Sequence, residues 1–341
     1  MLKKVWIGII VLLLFCVACQ KDEVIEKEEE PKEPVVEVEE EPEQETGFIA
    51  PLTGEEVEEE PTDRIIAVMV NNHPKARPQT SLSKADMVFE ILAEGNITRY
   101  MALFHSDIPE TVGPVRSARP YYFNLANDYG ALYVYHGAAD FIENMIQSGA
   151  VDGLNGMYYD NDQVLFQRST DRVAPHNSYA IFEGIYQRGE EKGYSLEKVY
   201  EPFVFTEEEI TGDQASEISY NYSNYEVKYV YDESSKKYNR YSDGVQVVEY
   251  ADSTPVQMSN VLFIEANHEV VDDVGRREID LESGGNALLL QNGKVQHVQW
   301  ERIDGRIIPT MNGEPVPFVQ GKTWVNVIPT NRGLQHVVIA E

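Results

Sequence analysis

The sequence predicts an α/β (or α+β) N-terminal domain with a mixed sheet and flanking helices, followed by a β-rich C-terminal domain. Up to about residue 192, short apolar runs alternate with segments of helical period. From residue 215 onward, short runs rich in Tyr, Val and Ile are separated by Asn-Gly and Asp-Gly pairs, a pattern typical of hairpins. The chain of 341 residues is also longer than one average domain.

Residues 1–18 have the features of a signal peptide and are excluded from the fold. Lys3 and Lys4 precede about fourteen apolar residues, fewer than the roughly 20 that a spanning helix needs. The run ends in Val17-Ala18-Cys19, which resembles the bacterial lipobox, although Cys16 stands where that box usually has leucine. The resemblance implies cleavage before Cys19, acylation including palmitate, and a lipid anchor on the outer face of the cytoplasmic membrane.

Residues 19–61 are predicted to be the lipidated cysteine and a disordered acidic tether. The chain has 58 acidic and 28 basic side chains, and 18 of the acidic ones fall within residues 20–62. Such a segment buries too little apolar surface to fold. The tether serves either as a spacer above the membrane or for solubility alone. Within it, the segment from Phe48 to Gly54 is predicted to be an arm that docks against the folded part. The net charge of −30 argues against nucleic-acid binding.

The residues predict no cofactor and no metal site. Cys16 and Cys19 are the only cysteines, so the mature part has no thiolate ligand and no cysteine nucleophile. Glu265, His268 and the Asp272-Asp273 pair match no metal-ligand spacing, and we interpret them as solvated loop charge. The sequence also lacks a P-loop, a G-x-S-x-G elbow and an HExxH motif.

The N-terminal domain is predicted to span residues 62–192 and to begin with a buried strand. Residues 65–70 are uniformly apolar, and two β-rich runs at 88–94 and 97–105 flank Gly95-Asn96, which predicts a hairpin. A short helix is expected over 119–129, with Ser117 as its N-cap, Pro120 in the first turn and Gly130 after the end. A buried strand over 131–135 then leads into His136.

The second part of this domain is predicted to be helical with one long loop. An amphipathic helix is expected over 138–147, ending at Gly149. Residues 151–173 predict a long loop, and a second helix is expected over 180–192, capped by Asn177 or Ser178. Residues 193–214 are the predicted connection to the C-terminal domain at 215–341.

The candidate site consists of arginines and histidines in three loops of an otherwise acidic domain. Arginine binds phosphate and carboxylate through two parallel hydrogen bonds, and histidine transfers protons near neutral pH. The candidate ligand-binding residues are Arg116, Arg119, Arg172, Arg77, Arg99, Arg168, His73 and Glu94, with Asp171 as a second acidic partner. The candidate catalytic residues are His136 and His176. The alternative is structural, with arginine–carboxylate and arginine–carbonyl contacts holding long loops in place.

Several of these motifs together resemble one family. The motifs are Asn71-Asn-His-Pro-Lys-Ala-Arg-Pro-Gln79, Glu94-Gly-Asn-Ile-Thr-Arg99, Gly113-Pro-Val-Arg-Ser-Ala-Arg-Pro-Tyr121, Ala174-Pro-His-Asn177, Gly275-Arg-Arg-Glu-Ile279, Asn292-Gly-Lys294 and Gly321-Lys-Thr-Trp324. They resemble the YerB-type lipoproteins of Firmicutes over about residues 51–339. The resemblance implies a two-domain extracytoplasmic lipoprotein from a family without an assigned activity.

Three functions remain open from the sequence. The leading hypothesis is a membrane-anchored binding or interaction module at the cell envelope, with an arginine-rich site for an anionic envelope ligand. The first alternative is a hydrolase or transferase acting on an envelope polymer, in which His136 or His176 is the acid or base and Arg116 and Arg119 stabilise negative charge. The second alternative is a scaffold for wall-synthesis proteins that uses exposed strand edges.

Overall fold

The computed structural model describes residues 47–223 and 225–340. The predicted signal peptide, Cys19 and the tether up to residue 46 lie outside the described residues. The described part of the chain is mostly β: 42% of its residues are in strands, which form several sheets, and 13% are in helices. Over the described ranges, no helix is long and apolar enough to cross a membrane.

Between residue 47 and the predicted connection, the structure contains ten strands and three α-helices. Strands β1 to β10 are Phe48–Ile49, Glu56–Val57, Ile66–Asn71, Met87–Leu92, Thr98–Phe104, Thr111–Val112, Leu132–Tyr135, Gly153–Asn155, Phe166–Arg168 and Ser178–Ile181. Helices α1 to α3 are Pro120–Asp128, Asp140–Met145 and Phe182–Glu191. A π-helical turn, Ile146–Ala150, extends α2, and Pro74–Ala76 and Leu82–Lys84 form short 3-10 helices.

The remainder of the described chain is formed by strands and one 3-10 helix, Leu334–His336. Strands β11 to β27 are Phe205–Thr206, Asp213–Gln214, Glu217–Asn221, Glu226–Asp232, Lys237–Ser242, Val245–Gln246, Gln257–Met258, Asn260–Ala266, His268–Val270, Arg277–Ile279, Gly285–Gln291, Lys294–Ile303, Arg306–Met311, Glu314–Pro315, Phe318–Val319, Thr323–Pro329 and Val338–Ala340. This part of the chain therefore has the predicted β-rich character.

A mixed twelve-stranded sheet contains strands from both halves of the chain. Its order is β24-β23-β22-β21-β18-β26-β4-β5-β3-β7-β8, and β12 pairs with β22. The strands β18, β26 and β4 run parallel to one another, as do β3, β7 and β8, whereas the other pairs are antiparallel. The parallel pairing of β26 with β4 joins the two halves into one sheet.

The large sheet is covered on both faces, which explains the uniformly apolar strand β3. Ile66, Val68 and Val70 lie in one core cluster, together with residues of α3 and of the six-stranded sheet β16-β15-β14-β13-β27 with β17. Ala67 and Met69 lie in a second cluster with α1 and α2. Three smaller sheets, β1-β2, β11-β25 and β19-β20, each have two strands, and β6-β10-β9 has three.

Several predicted elements are confirmed. The run at 65–70 forms β3, and the predicted hairpin forms β4 and β5, with Gly95 at a φ of 60°. Helix α1 lies within the predicted bounds, with Pro120 in its first turn and Gly130 at a φ of 65° directly after its end. Leu52 is buried, and Thr53 accepts a hydrogen bond from Gly321 through its carbonyl oxygen, so the predicted arm is docked.

Three local predictions were wrong. Ser117 is not the N-cap of α1; Arg119 occupies that position without a side-chain cap. The predicted loop at 151–173 contains β8 and β9. Helix α3 begins at Phe182, and neither Asn177 nor Ser178 caps it, because residues 178–181 form β10 between β6 and β9. Long-range strand pairing therefore determines where this helix starts.

Candidate functional site

The candidate site lies at the edge of the large sheet where the parallel strands β3, β7 and β8 end. Arg116 crosses this edge in an extended segment. Its backbone N–H donates to the carbonyl oxygen of Met69 at 2.9 Å, and its carbonyl oxygen accepts the N–H of His136 at 3.0 Å. The segment is therefore held between the ends of β3 and β7. Carboxyl ends of parallel strands are where open sheets tend to bind ligands.

His73 and His176 come from different loops and stack on each other. Their ring centroids are 4.6 Å apart, with 24° between the planes. The Asn71 side chain connects them: its Oδ1 accepts the backbone N–H of His73 at 2.9 Å, and its Nδ2 lies 3.0 Å from Nδ1 of His176. Because the first bond fixes which end of the amide is the oxygen, Nδ1 of His176 must accept the second hydrogen bond.

The imidazoles of His73 and His176 have the same tautomer. Nδ1 of His73 accepts the backbone N–H of Lys75 at 3.1 Å, so both neutral rings carry their proton on Nε2. Neither Nε2 atom has a hydrogen-bond partner within the described chain. The pKa of His73 is lowered by burial and by the charges of Lys75, Arg116 and Arg77. The pKa of His176 is lowered by burial and by neighbouring positive groups, including Arg116.

Arg116 has a partly buried guanidinium without a hydrogen-bond acceptor among residues 47–223 and 225–340. Burial and the charge of Arg99 lower its pKa to about 10, so the side chain remains protonated at neutral pH. Its charge contributes to the lowered pKa of both stacked histidines. We refer to His73, Arg116 and His176 as the donor cluster, because each presents N–H groups and none presents a free acceptor.

Glu94 is shared by two of the candidate arginines. Its carboxylate forms ion pairs with Arg99 at 2.7 Å and with Arg119. Arg99 also donates to the carbonyl oxygen of Ser117 at 2.9 Å, and Arg119 donates to that of Ala118. Arg116 adds a third guanidinium near this group, since the charge of Arg99 contributes to lowering its pKa.

Two further candidate arginines are occupied by contacts within the chain. Arg77 pairs with Asp243 at 3.1 Å and lies over the ring of Tyr225. Arg172 donates to the carbonyl oxygens of Ala76 and Pro78 at 2.6 and 2.5 Å. The structure thus places both side chains in contacts that tie loops together. Asp171 lies at the surface, where its carboxylate accepts the hydroxyl of Tyr250 at 3.4 Å.

His136 follows β7 and has contacts at both ring nitrogens. Its Nδ1 lies 2.7 Å from the hydroxyl of Ser178, and its Nε2 lies 3.5 Å from the guanidinium of Arg168. Arg168 is itself paired with Asp160 at 2.8 Å. Burial and the charge of Arg168 lower the pKa of His136. His136 therefore lies at the same sheet edge but offers fewer free hydrogen-bonding positions than the donor cluster.

The structure adds a buried polar network that we did not predict. Asn72 donates through Nδ2 to the hydroxyls of Thr98 and Tyr225 at 2.7 and 3.1 Å, and it lies 3.4 Å from Glu90. Glu90 in turn pairs with Arg240 at 2.7 Å, and both side chains have no exposed surface. The network connects the loop that carries His73 to the second half of the chain. Buried charge is rare in globular proteins, so composition gave no signal for it.

The histidines of the donor cluster do not present a lone pair to a metal ion. A metal bound at Nε2 would require the proton on Nδ1, where it would face the N–H groups of Asn71 and Lys75. In the described ranges, no group of three His, Cys, Asp or Glu side chains has a metal-binding arrangement. The arrangement suits a ligand that accepts hydrogen bonds.

His268 is a buried neutral histidine outside this site. Its Nδ1 lies 3.0 Å from the carbonyl oxygen of Ala266, and its buried Nε2 has no partner within the described residues. Burial lowers its pKa to about 4, whereas an unfolded histidine titrates near 6.5. Between these two pH values, His268 is therefore protonated in the unfolded chain but neutral in the folded protein.

We expect this histidine to weaken the fold in acid. Its stabilising contribution is present above pH 6.5 and decreases by about 3 kcal/mol as the pH falls to about 4. Urea unfolding at both pH values should show a smaller loss in His268→Gln than in the wild type. Equal losses in the two proteins would exclude His268 as the cause.

The chain matches known proteins over most of its length. Residues 52–195 match the family described as "Protein of unknown function (DUF3048) N-terminal domain". Residues 216–325 match the corresponding C-terminal domain family. The chain is 44% identical over 286 residues to a Bacillus subtilis (strain 168) protein named "Putative lipoprotein YerB", which covers 82% of this chain and 86% of that protein. The crystal structure of the YerB protein from Bacillus subtilis is similar, with a TM-score of 0.80 at 43% identity, covering 86% of this chain and 99% of that one.

Proposed function

The chain belongs to the DUF3048 family, as its YerB-type motifs indicated, and on this premise we propose that it is a lipid-anchored envelope protein that binds an anionic group at the donor cluster. The family carries no described activity, so the proposal rests on the site. The observation that carries it is the partly buried guanidinium of Arg116, which has no acceptor within the described residues and whose charge lowers the pKa of both His73 and His176.

The chemistry of the donor cluster favours phosphate or carboxylate. Arg116, His73 and His176 supply only N–H donors, and an anion supplies only acceptors. The carboxylate of Glu94 is already shared by Arg99 and Arg119. Burial and the charge of Arg99 both lower the pKa of Arg116. A bound anion would replace the water that the Arg116 guanidinium loses on burial, and it would also reduce the repulsion between Arg116 and Arg99.

The hydrogen bonds of the candidate histidines favour anion binding over hydrolysis of a polymer. A general base needs a free lone pair within reach of the substrate. The Nδ1 lone pair of His176 is used by Asn71, and His136 has Ser178 and Arg168 at its two nitrogens. The polymer hydrolase or transferase alternative would need a change of tautomer at one of these rings. The scaffold alternative has no specific observation in its favour.

Isothermal titration calorimetry of phosphate into the full chain, purified in detergent, tests the proposal. Saturable binding at one site is expected, with competition by sulfate. A protein without measurable heat of binding, and without a thermal shift at high phosphate concentration, would contradict the proposal.

We also propose that Cys19 carries the lipid anchor, because the similar Bacillus subtilis protein is named a lipoprotein and Ala18-Cys19 fits a lipobox. In a Cys19→Ser variant, we expect loss of palmitate labelling and release from a lipid-dependent membrane fraction. The matched Cys16→Ser variant should remain lipidated. Unchanged labelling of Cys19→Ser would contradict the anchor site.

The predicted division at 62–192, 193–214 and 215–341 is kept as a proposal, with helices flanking the sheet of the first domain. The two family matches end and begin close to these limits, which supports it. Limited proteolysis tests the division, because cleavage is expected first within 193–214. First cleavage inside either domain would contradict it.

A further inference from the structure

A cavity of about 410 Å³ adjoins the donor cluster. It lies between the loop after β3, the tip of the β4–β5 hairpin, and Tyr225 with Asp243 from the second half of the chain. His73 lines the cavity and also belongs to the donor cluster, so the two features share this residue. Pockets of roughly 300–1,000 Å³ are typical of small-molecule sites. An anion bound at the cluster therefore has room for a substituent on this side.

The lining of this cavity differs chemically from the donor cluster. Glu94 and Asp243 provide carboxylate oxygens, and their side chains are 34% and 46% exposed although each is already in an ion pair. A carboxylate has about four acceptor positions, so both retain free ones. Donors are provided by the amide of Asn96 and by Nη2 of Arg77, which makes no hydrogen bond within the described residues, whereas Nε and Nη1 of Arg77 are used within the chain. The cavity therefore offers both donors and acceptors, whereas the cluster offers donors alone.

Hydroxyl groups match such a mixed lining, because each hydroxyl both donates and accepts. Ile97, which is 43% exposed at the hairpin tip, adds an apolar contact for the C–H face of a carbon skeleton. A polyhydroxylated group fits these features better than an aliphatic chain, which would desolvate the remaining acceptor positions of the carboxylates without giving them hydrogen bonds.

We propose that the ligand is a phosphorylated sugar or polyol, with its phosphate on the donor cluster and its hydroxyls in the adjoining cavity. This inference rests on the proposed function, since it assigns the substituent of the anion bound there. The cavity then provides selectivity among phosphates, and the cluster provides the charge recognition that all of them share.

Calorimetric titration of the full chain with inorganic phosphate, glucose 6-phosphate and glucose tests the inference. Glucose 6-phosphate is expected to bind about tenfold more tightly than phosphate, which corresponds to about 1.4 kcal/mol. Glucose alone is expected to show no measurable binding. A longer polyol phosphate, sorbitol 6-phosphate, should show a similar gain over phosphate.

Asn96 allows a variant that leaves the fold intact, because it is exposed at the hairpin tip and its side chain makes no hydrogen bond within the described residues. Asn96→Ala should reduce the gain in affinity of glucose 6-phosphate over inorganic phosphate. Asn96→Trp, whose larger side chain is introduced to occupy the cavity, should abolish that gain. Both should bind inorganic phosphate as the wild type does. Asn144→Ala, at another exposed asparagine on α2, is the matched control and should change neither affinity.

The outcomes separate the two proposals. If phosphate binds but neither phosphorylated compound binds more tightly, the inference is overturned and the anion site stands. If the gain persists in Asn96→Trp, the hydroxyls are not bound in this cavity, and the inference is again overturned. If phosphate itself does not bind, the proposed function fails and the inference fails with it.

Discussion

Replacing Arg240 by alanine is expected to lower the free energy of unfolding by about 3–5 kcal/mol, the range for breaking a buried ion pair. Its guanidinium lies 2.7 Å from the carboxylate of Glu90 and 4.5 Å from the ring centre of Trp324, with no exposed surface on either charged side chain. Without it, Glu90 retains hydrogen bonds from Thr98 and Trp324 but no opposite charge.

Urea unfolding of the variant at neutral pH measures this effect. The double variant Glu90→Gln/Arg240→Met removes both charges and should be less destabilised than Arg240→Ala, because no uncompensated charge remains. Lys228→Ala removes one partner of a partly exposed pair with Glu217 and should cost less than about 1 kcal/mol. A loss for Arg240→Ala no larger than that of Lys228→Ala would contradict the importance assigned to the buried pair.

Replacing Arg116 by alanine is expected to weaken phosphate binding by about 30- to 1,000-fold, which corresponds to roughly 2–4 kcal/mol for losing one partner of a charged hydrogen-bonded pair. The fold itself should not suffer. The guanidinium has no acceptor in the described part of the chain, and burial with the nearby charge of Arg99 lowers its pKa to about 10. Arg116 is therefore in an electrostatically unfavourable position before the anion binds.

This combination distinguishes a binding residue from an architectural one. Calorimetry should show the loss of phosphate affinity, while the melting temperature of Arg116→Ala without phosphate stays equal to or above that of the wild type. Arg116→Lys should bind with intermediate affinity, because it keeps the charge but loses the planar geometry. Arg172→Ala is the contrasting control, since it removes hydrogen bonds to Ala76 and Pro78 and should lower the melting temperature.

The sequence predicted those elements whose signals are local. The apolar run of β3, the turn at Gly95 and the Pro120-to-Gly130 frame of α1 each depend on residues a few positions apart. The start of α3 could not be predicted in this way. The predicted helix included Ala180 and Ile181, but these residues belong to a strand that pairs with Thr111–Val112 and Phe166–Arg168, which lie outside the helix's own stretch of sequence.

The candidate site likewise has features that the sequence predicted and features that depend on contacts between distant residues. Composition and loop position selected the arginines and histidines, but only the fold shows which have partners. Arg77 is paired with Asp243, 166 residues away, whereas Arg116 has no acceptor within the described residues. The stacking of His73 on His176 also depends on two loops meeting. Pairings over such distances depend on sheet topology, which a single sequence does not encode in a readable pattern.

The measurement that tests the central claim most directly is ¹⁵N NMR of the imidazole rings of the full chain in detergent during a phosphate titration at pH 7. We predict that the Nε2 resonances of His73 and His176 shift together and saturably and that their Nδ1 resonances keep the character of unprotonated acceptors. In Arg116→Ala, the phosphate concentration that saturates the wild type should produce little or no shift. Unchanged Nε2 resonances in the wild type at saturating phosphate, or shifts that persist in Arg116→Ala, would contradict an anion site at the donor cluster.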